Sequence, residues 1–340
     1  MHSVNTPIAT VPLGTDGPRV GVQGLGCMGM SFAYGPTDAD AARATLERAL
    51  ELGVTLYDTA DMYGDGENEK FIAPFIRANR DAVTLASKFS LSTDPGDPQK
   101  RVIRNDRPYL RSCIEGSLRR LGVETIDLYY MHRRDLRVPI EDAVGYMAEL
   151  VQEGKVRRLG LSEVTGAELR AAHAVHPIAA VQSEWSVFSR DVERTAVPAA
   201  QELGVAFVPY SPLGRGFLTG SFVDADADLT ADDFRRTMPR FTGGNGAKNA
   251  ELLAPLRQIA EAHGATPGQI ALAWLHGQAA LRGMAVVPIP GTRKPSRVEE
   301  NTAATAIELT EAEWALLEPL AGQVAGPRHA DVNFTSAGRE

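Results

Sequence analysis

Cysteine is almost missing. The 340 residues include only Cys27 and Cys113, too few for a disulfide framework, so the fold must rest on its packed core, as suits a reducing cytoplasm. Positive charge is not in excess either: 35 Lys and Arg stand against 43 Asp and Glu, a formal charge of −8. Nucleic acid and anionic membrane surfaces reward a basic face, so neither is expected as a main partner. No apolar run approaches membrane-spanning length, and the N-terminus shows no basic segment followed by a long apolar one, which reads as cytoplasmic. A linker is lacking too, because the 32 glycines and 21 prolines are scattered as loop punctuation. With 44% hydrophobic residues, residues 1–340 read as one domain.

What is present is an alternation. Short apolar runs at 20–27, 54–57, 83–87, 126–131, 156–161, 178–182, 205–209 and 284–289 have strand character. Between them lie longer periodic stretches, among them 38–52, 107–121, 140–152, 165–175 and 192–203, several opening on Asp or Thr as helices do. Further helix candidates at 250–263 and 266–279 precede the last strand. This βα alternation fits a (β/α)8 TIM barrel, in which each right-handed crossover puts its helix outside a closing parallel sheet. The barrel core is expected over about 20–306, with a C-terminal helix and irregular tail over 307–340. Residues 11–22 are expected to form an N-terminal hairpin closing one end. The connections 90–106, after the third strand, and 210–249, after the seventh, are too long for plain turns. Both leave from strand C-termini, so they are expected to roof the same mouth.

Four polar residues fall where strand-like runs stop. Asp58 closes 54–57, Lys88 closes 83–87, His132 closes 126–131, and Tyr63 lies in the loop after Asp58. In parallel α/β proteins these strand ends are where reacting groups gather. Singly, each has an ordinary explanation as a turn cap, a surface aromatic, a solvated lysine or a loop histidine. As a set they suit carbonyl reduction, which needs a proton for a developing alkoxide from a donor that survives at neutral pH. A phenol with a pKa of about 10 is slightly too weak. An ammonium about 4 Å away supplies roughly 4 kcal/mol at an effective dielectric near 20, against about 1.4 kcal/mol per pKa unit. Lys88 is therefore expected to lower Tyr63 by a few units, with Asp58 holding Lys88 and His132 orienting the carbonyl.

The same residues sit in stretches that carry a resemblance: Tyr57-Asp58-Thr59-Ala60-Asp61-Met62-Tyr63-Gly64 with Glu67-Asn68-Glu69, Ser87-Lys88, Asp127-Leu128-Tyr129-Tyr130-Met131-His132, Gly160-Leu161-Ser162, Tyr210-Ser211-Pro212-Leu213-Gly214-Arg215-Gly216 and Ile289-Pro290-Gly291-Thr292-Arg293. Over nearly its whole length the chain resembles the aldo-keto reductase superfamily. The resemblance implies a (β/α)8 fold, NADPH as cofactor, a small-molecule aldehyde or ketone as substrate, and Tyr63 as proton donor supported by Asp58, Lys88 and His132. It assigns Ser162 and Gln182 to the nicotinamide carboxamide and Tyr210 to stacking on the ring. Ser211, Pro212, Leu213, Gly214 and Gly216 fall to the pyrophosphate. Gly291, Arg293, Arg297, Glu300 and Asn301 fall to the adenosine end, with Gly26 and Met28 near the ribose and Asp58 close to both substrate and cofactor. Arg293 and Arg297 are the expected 2′-phosphate contacts.

Two positions depart from the usual pattern: Glu163 follows Ser162 where many relatives have Asn, and Gly26-Cys27-Met28 stands where others carry Gly-Thr. Glu163 is expected to alter the second carboxamide contact. Gly24-Leu25-Gly26-Cys27-Met28-Gly29 fits the dinucleotide-binding G-x-G-x-x-G, but the next helix begins only near Asp38, too late for that motif. His173 and His176 have no nearby third ligand, so no metal site is expected. Met30, Phe89, Phe217, Phe222, Phe234 and Phe241 are candidates for an apolar mouth. The competing reading is a cofactor-sensing, largely non-catalytic subunit of the channel-auxiliary type; the intact tetrad favours the enzyme.

Overall fold

Apolar runs too short for helices pair side by side here, and the amphipathic stretches between them pack outside. The computed structural model describes residues 7–94, 96–231, 233–331 and 334–339. An antiparallel hairpin of β1 (Thr10–Pro12) and β2 (Arg19–Gly21) comes first, followed by β3 (Leu25–Gly26), α1 (Ala39–Glu51), β4 (Leu56–Asp58), α2 (Glu67–Ala78) and β5 (Thr84–Phe89). A second hairpin, β6 (Leu91–Asp94) and β7 (Asp97–Ile103), precedes α3 (Arg107–Leu121), β8 (Ile126–Met131), α4 (Ile140–Gln152), β9 (Val156–Ser162), α5 (Gly166–Val175), β10 (Ile178–Glu184), α6 (Ala196–Leu203) and β11 (Ala206–Tyr210). Then come α7 (Ala225–Asp228), α8 (Asn245–Glu251), α9 (Ala254–His263), α10 (Pro267–Arg282), α11 (Pro295–Ala303) and α12 (Glu311–Leu317).

The central sheet is parallel, in the order β11-β10-β9-β8-β5-β4-β3. Its two edges are joined by the extended strip 284–291, which bridges Val286 to Phe207 and Gly291 to Gly26. The expected eighth strand is thus present as a strip with isolated bridges. Pro288 and Pro290 lack the N–H donors a regular ladder needs, and the strip instead donates from Val287 to Phe207 O (2.9 Å) and Ile289 to Pro209 O (3.0 Å) and accepts from Gly24 N at Pro288 O (2.9 Å). The (β/α)8 barrel of the sequence reading is the observed fold.

The expected first strand, 20–27, divides at 22–24 into the end of the hairpin and β3. The hairpin plugs the bottom: Leu13 and Val20 pack with Leu56, Ala86, Leu128, Ala180, Val208 and Val287 inside the barrel. A larger core lies between sheet and helices, with Tyr57, Leu85, Phe89, Tyr129, Met147, Leu169 and Trp274. Helix starts follow their caps: Asp38 accepts from Asp40 N and Ala41 N, and Thr165 and Thr266 form capping boxes with Glu168 and Gln269. The sequence reading had not singled out α2, where Pro74 removes one internal hydrogen bond. Buried Ile72, Ala73 and Ile76 hold that turn against the barrel.

Candidate active site

Side chains alternate along a strand, and that period stacks the site on the core. Leu56, Ala86, Tyr130, Ala180 and Val208 belong to the barrel interior. Two residues further along each strand direction come Asp58, Lys88, His132, Gln182 and Tyr210, so apolar layers below give way to polar groups at the C-terminal mouth. Tyr63 arrives from the loop before α2. Asn68 anchors that loop, accepting from Thr59 Oγ1 (2.6 Å), donating to Cys27 O (2.9 Å) and giving its backbone N–H to Tyr63 O (3.2 Å).

All four expected residues meet. The Lys88 ammonium, fully buried, donates to Asp58 Oδ1, to Thr59 O (2.8 Å) and to the Tyr63 hydroxyl (3.3 Å). The His132 ring stands edge-on to Tyr63, with centroids 5.9 Å apart and planes at 86°. Gln182 Nε2 donates to Asp58 Oδ2 at 2.8 Å, so both carboxylate oxygens are held.

The electrostatics correct one expectation. Burial pushes the Tyr63 phenol up by more than Lys88 pulls it down, and Asp58 adds to the rise, so its pKa lies above the ordinary value instead of below it. Burial opposes the charge on Lys88, yet Asp58 and Tyr63 outweigh it and hold its pKa above the ordinary value. Burial, then the Arg133 and Lys88 charges, keep His132 well below the usual imidazole range. At neutral pH the site therefore presents a protonated phenol, an ammonium and a neutral imidazole, a hydrogen-bond donor set for a carbonyl oxygen.

The residues expected at the cofactor form a path from this point along the mouth. Gln182 reaches Asp58, Ser162 pairs beside Gln182 on β9, and Tyr210 ends β11. In the loop after it, Ser211, Gly214, Arg215 and Gly216 all have positive φ (48°, 55°, 58° and 92°), and the turn is closed by Gly214 N donating to Ser211 O (2.9 Å) and Gly216 N to Leu213 O (3.0 Å). Gly26 and Gly291 meet back to back; a Cβ on the first would lie 2.9 Å from Ile289 O, and on the second 3.0 Å from Gly26 O. Met28 opens a short 3-10 turn beside them. Arg297 is exposed on α11, pairing with Glu300 (3.0 Å), which also accepts from Thr266 Oγ1 (2.8 Å), while Asn301 is buried in the same helix. Arg293 behaves otherwise: its guanidinium donates to Tyr34 O, Gly35 O, Pro36 O and Thr37 Oγ1 at 2.7–3.1 Å. It clamps the loop after β3.

Over the mouth lies the chain's own tail, and Glu163 holds it. In a left-handed conformation (φ 51°), this buried carboxylate accepts from the Tyr210 hydroxyl (2.7 Å), Arg328 (3.2 Å), Ser336 N (2.9 Å) and Ser336 Oγ (3.2 Å). Although burial opposes it, Arg328, Arg133 and these donors keep Glu163 well below the usual carboxylate range. The sequence reading treated the tail as irregular and missed this role, along with Arg133 and Phe334. Of the residues expected at an apolar mouth, Phe217 and Phe241 line a cavity with Arg215 and Arg328, and Phe234 lies against Arg215. Met30 and Phe89 belong to the outer core, and Phe217, Phe222 and Phe241 pack on one another with centroids 5.3 Å apart. Phe32, stacked 6.4 Å from Tyr63, is the aromatic at the donor itself.

Residues 24–321 match the model of the aldo/keto reductase family. A relative from Glycine max, described as probable aldo-keto reductase 1, is 42% identical over 95% of this chain and 92% of its own. Among solved structures, the glycerol dehydrogenase AKR11B4 from Gluconobacter oxydans aligns over 97% of this chain and 99% of that one, with a TM-score of 0.79 and 27% identity. An aldo/keto reductase from Klebsiella pneumoniae in complex with NADP and acetate aligns over 96% and 100%, with a TM-score of 0.71 and 25% identity.

Proposed function

The chain belongs to the aldo/keto reductase family, and from that premise we propose that it reduces the carbonyl of an aldehyde or ketone to the alcohol with NADPH, Tyr63 being the proton donor. The observation that carries this reading is the single ammonium of Lys88 bonded at once to Asp58 and to the Tyr63 hydroxyl, beneath the edge of His132. Bound NADPH supplies the hydride. Tyr63 gives its hydroxyl proton to the carbonyl oxygen, and Lys88 stabilises the phenolate that remains. His132, neutral, hydrogen-bonds the same oxygen and fixes the carbonyl's direction. Asp58 keeps Lys88 aimed, and Gln182 keeps Asp58 aimed. The positive-φ loop 211–216, the Gly26–Gly291 approach and the Tyr210 ring fit the pyrophosphate, ribose and nicotinamide of the cofactor. On adding simple aldehydes, ketones and dicarbonyls, steady NADPH consumption is expected. Tight NADPH binding with no consumption across that panel would instead favour the non-catalytic subunit.

Preference for NADPH over NADH is assigned to Arg297. In a chain of charge −8, a 2′-phosphate needs a local cation, and Arg297 has one exposed ion pair to give up. Arg297→Ala is expected to weaken NADPH binding about ten- to a hundredfold, the loss of one charge-assisted contact, and to leave NADH nearly unchanged. Arg293→Ala, which releases the 34–37 loop, is expected to weaken both cofactors alike. Fluorescence titration of each variant decides; equal losses of NADPH and NADH in Arg297→Ala would remove the phosphate assignment.

A further inference from the structure

The mouth holds several arginines, and most of those described have a carboxylate or a set of carbonyl acceptors. Arg328 pairs with Asp191 (2.9 Å) and Glu163 (3.2 Å), Arg240 with Glu184 (3.7 Å), Arg339 with Glu168 (3.0 Å) and Arg134 with Glu168 (3.5 Å). Arg215, half-buried, lies in the loop already assigned to the pyrophosphate. Arg133 is different. It is 6% exposed, yet no acid lies within salt-bridge distance among the described residues, and its Nε is buried without a hydrogen-bond partner. Its Nη1 donates to His132 O (2.7 Å) and Ser162 Oγ (3.3 Å), and its other neighbours are ring faces: Phe334 at 4.6 Å and Tyr210 at 6.0 Å from Cζ. Glu163 is the obvious counter-ion, but its oxygens are taken by Tyr210, Arg328 and Ser336.

Glu163 feels the Arg133 charge at a distance, but a buried guanidinium with no acid in contact is costly, and this one sits next in sequence to the histidine that orients the carbonyl. We infer that Arg133 receives a carboxylate on the substrate, so that the carbonyl compounds this protein takes are short oxo acids. The inference rests on the reductase reading above and adds the substrate class to it. Nη1 is committed to His132 O and Ser162 Oγ and Nε is buried, but Nη2 makes no hydrogen bond among the described residues, so its N–H groups remain for a carboxylate, with the Phe334 and Tyr210 rings beside the guanidinium. In the reaction the hydride goes to the carbonyl carbon and the Tyr63 proton to its oxygen; the oxo acid becomes a hydroxy acid, NADPH becomes NADP+, and the carboxylate stays intact on Arg133.

The test compares 4-oxobutanoate with its neutral methyl ester. Wild-type protein is expected to show a higher kcat/KM for the acid, and in Arg133→Gln the acid-to-ester ratio is expected to fall about ten- to a hundredfold, the worth of a charge-assisted contact. Taking the ratio cancels any general loss of activity or cofactor binding. Arg133→Lys should recover part of it. An unchanged ratio in Arg133→Gln, or a wild-type preference for the ester, would overturn the assignment. Should neither compound be reduced, the panel of simple aldehydes, ketones and dicarbonyls decides the reductase reading separately. Calorimetric binding of 4-hydroxybutanoate to wild type and Arg133→Gln in the presence of NADP+ then decides Arg133 alone: binding lost in the variant upholds the carboxylate site, and equal or absent binding in both ends it.

Discussion

Tyr63→Phe is expected to lower carbonyl reduction at least about a hundredfold, the lower end of what a general acid contributes. The change removes one oxygen and keeps the ring, so the stack on Phe32 and the edge contact with His132 survive. Lys88 keeps its bonds to Asp58 and Thr59 O. NADPH binding should therefore persist, and fluorescence titration alongside steady-state rates separates the two. A Tyr63→Phe protein that reduced aldehydes at near wild-type rate would sink the assignment of the proton donor.

Lys88→Met acts on both catalysis and stability. It leaves Asp58 buried at the mouth with Gln182 as its remaining side-chain donor, and breaking a buried pair from one side costs about 3–5 kcal/mol. Urea unfolding should show that loss, and adding Asp58→Asn should recover most of the stability without the turnover. The pH-rate profile carries the sign. Reduction needs the protonated phenol, so the rate falls as pH rises through the Tyr63 pKa. Lys88 pulls that pKa down, so its removal moves the alkaline limb to higher pH while the plateau drops. A variant with the profile and the unfolding midpoint of wild type would show that Lys88 and Tyr63 are not coupled.

The tetrad was legible because geometry and chemistry point the same way. Asp58, Lys88 and His132 each end a strand-like run of a parallel sheet, so position at the end of a run translated directly into proximity. What failed to show were partnerships between distant segments. Glu163 and Arg328 are 165 residues apart, and nothing local in Gly326-Pro327-Arg328 signals that it reaches the mouth. Arg293 reads as a phosphate ligand by position, yet the open carbonyls of Tyr34, Gly35 and Pro36 claim it. Among the phenylalanines of the roof, composition gave the residues but not the packing: Phe217, Phe222 and Phe241 satisfy one another. Pro288 and Pro290 were visible in the sequence, and their missing donors account for the broken eighth strand.

That broken strand has a consequence for how the chain is made. The seven regular parallel strands leave the ribosome in the order in which they lie side by side in the sheet. The interior cannot be sealed until 284–291 arrives, because among the described residues it is that strip which bridges both Phe207 and Gly26. Until then Leu25, Val208 and their neighbours border an open edge, and closing it spans nearly the whole length of the chain, the kind of non-local pairing that slows folding. Nascent chains that stop short of Gly291 would carry every member of the catalytic tetrad and still present two unpaired sheet edges, a surface for chaperones rather than an enzyme.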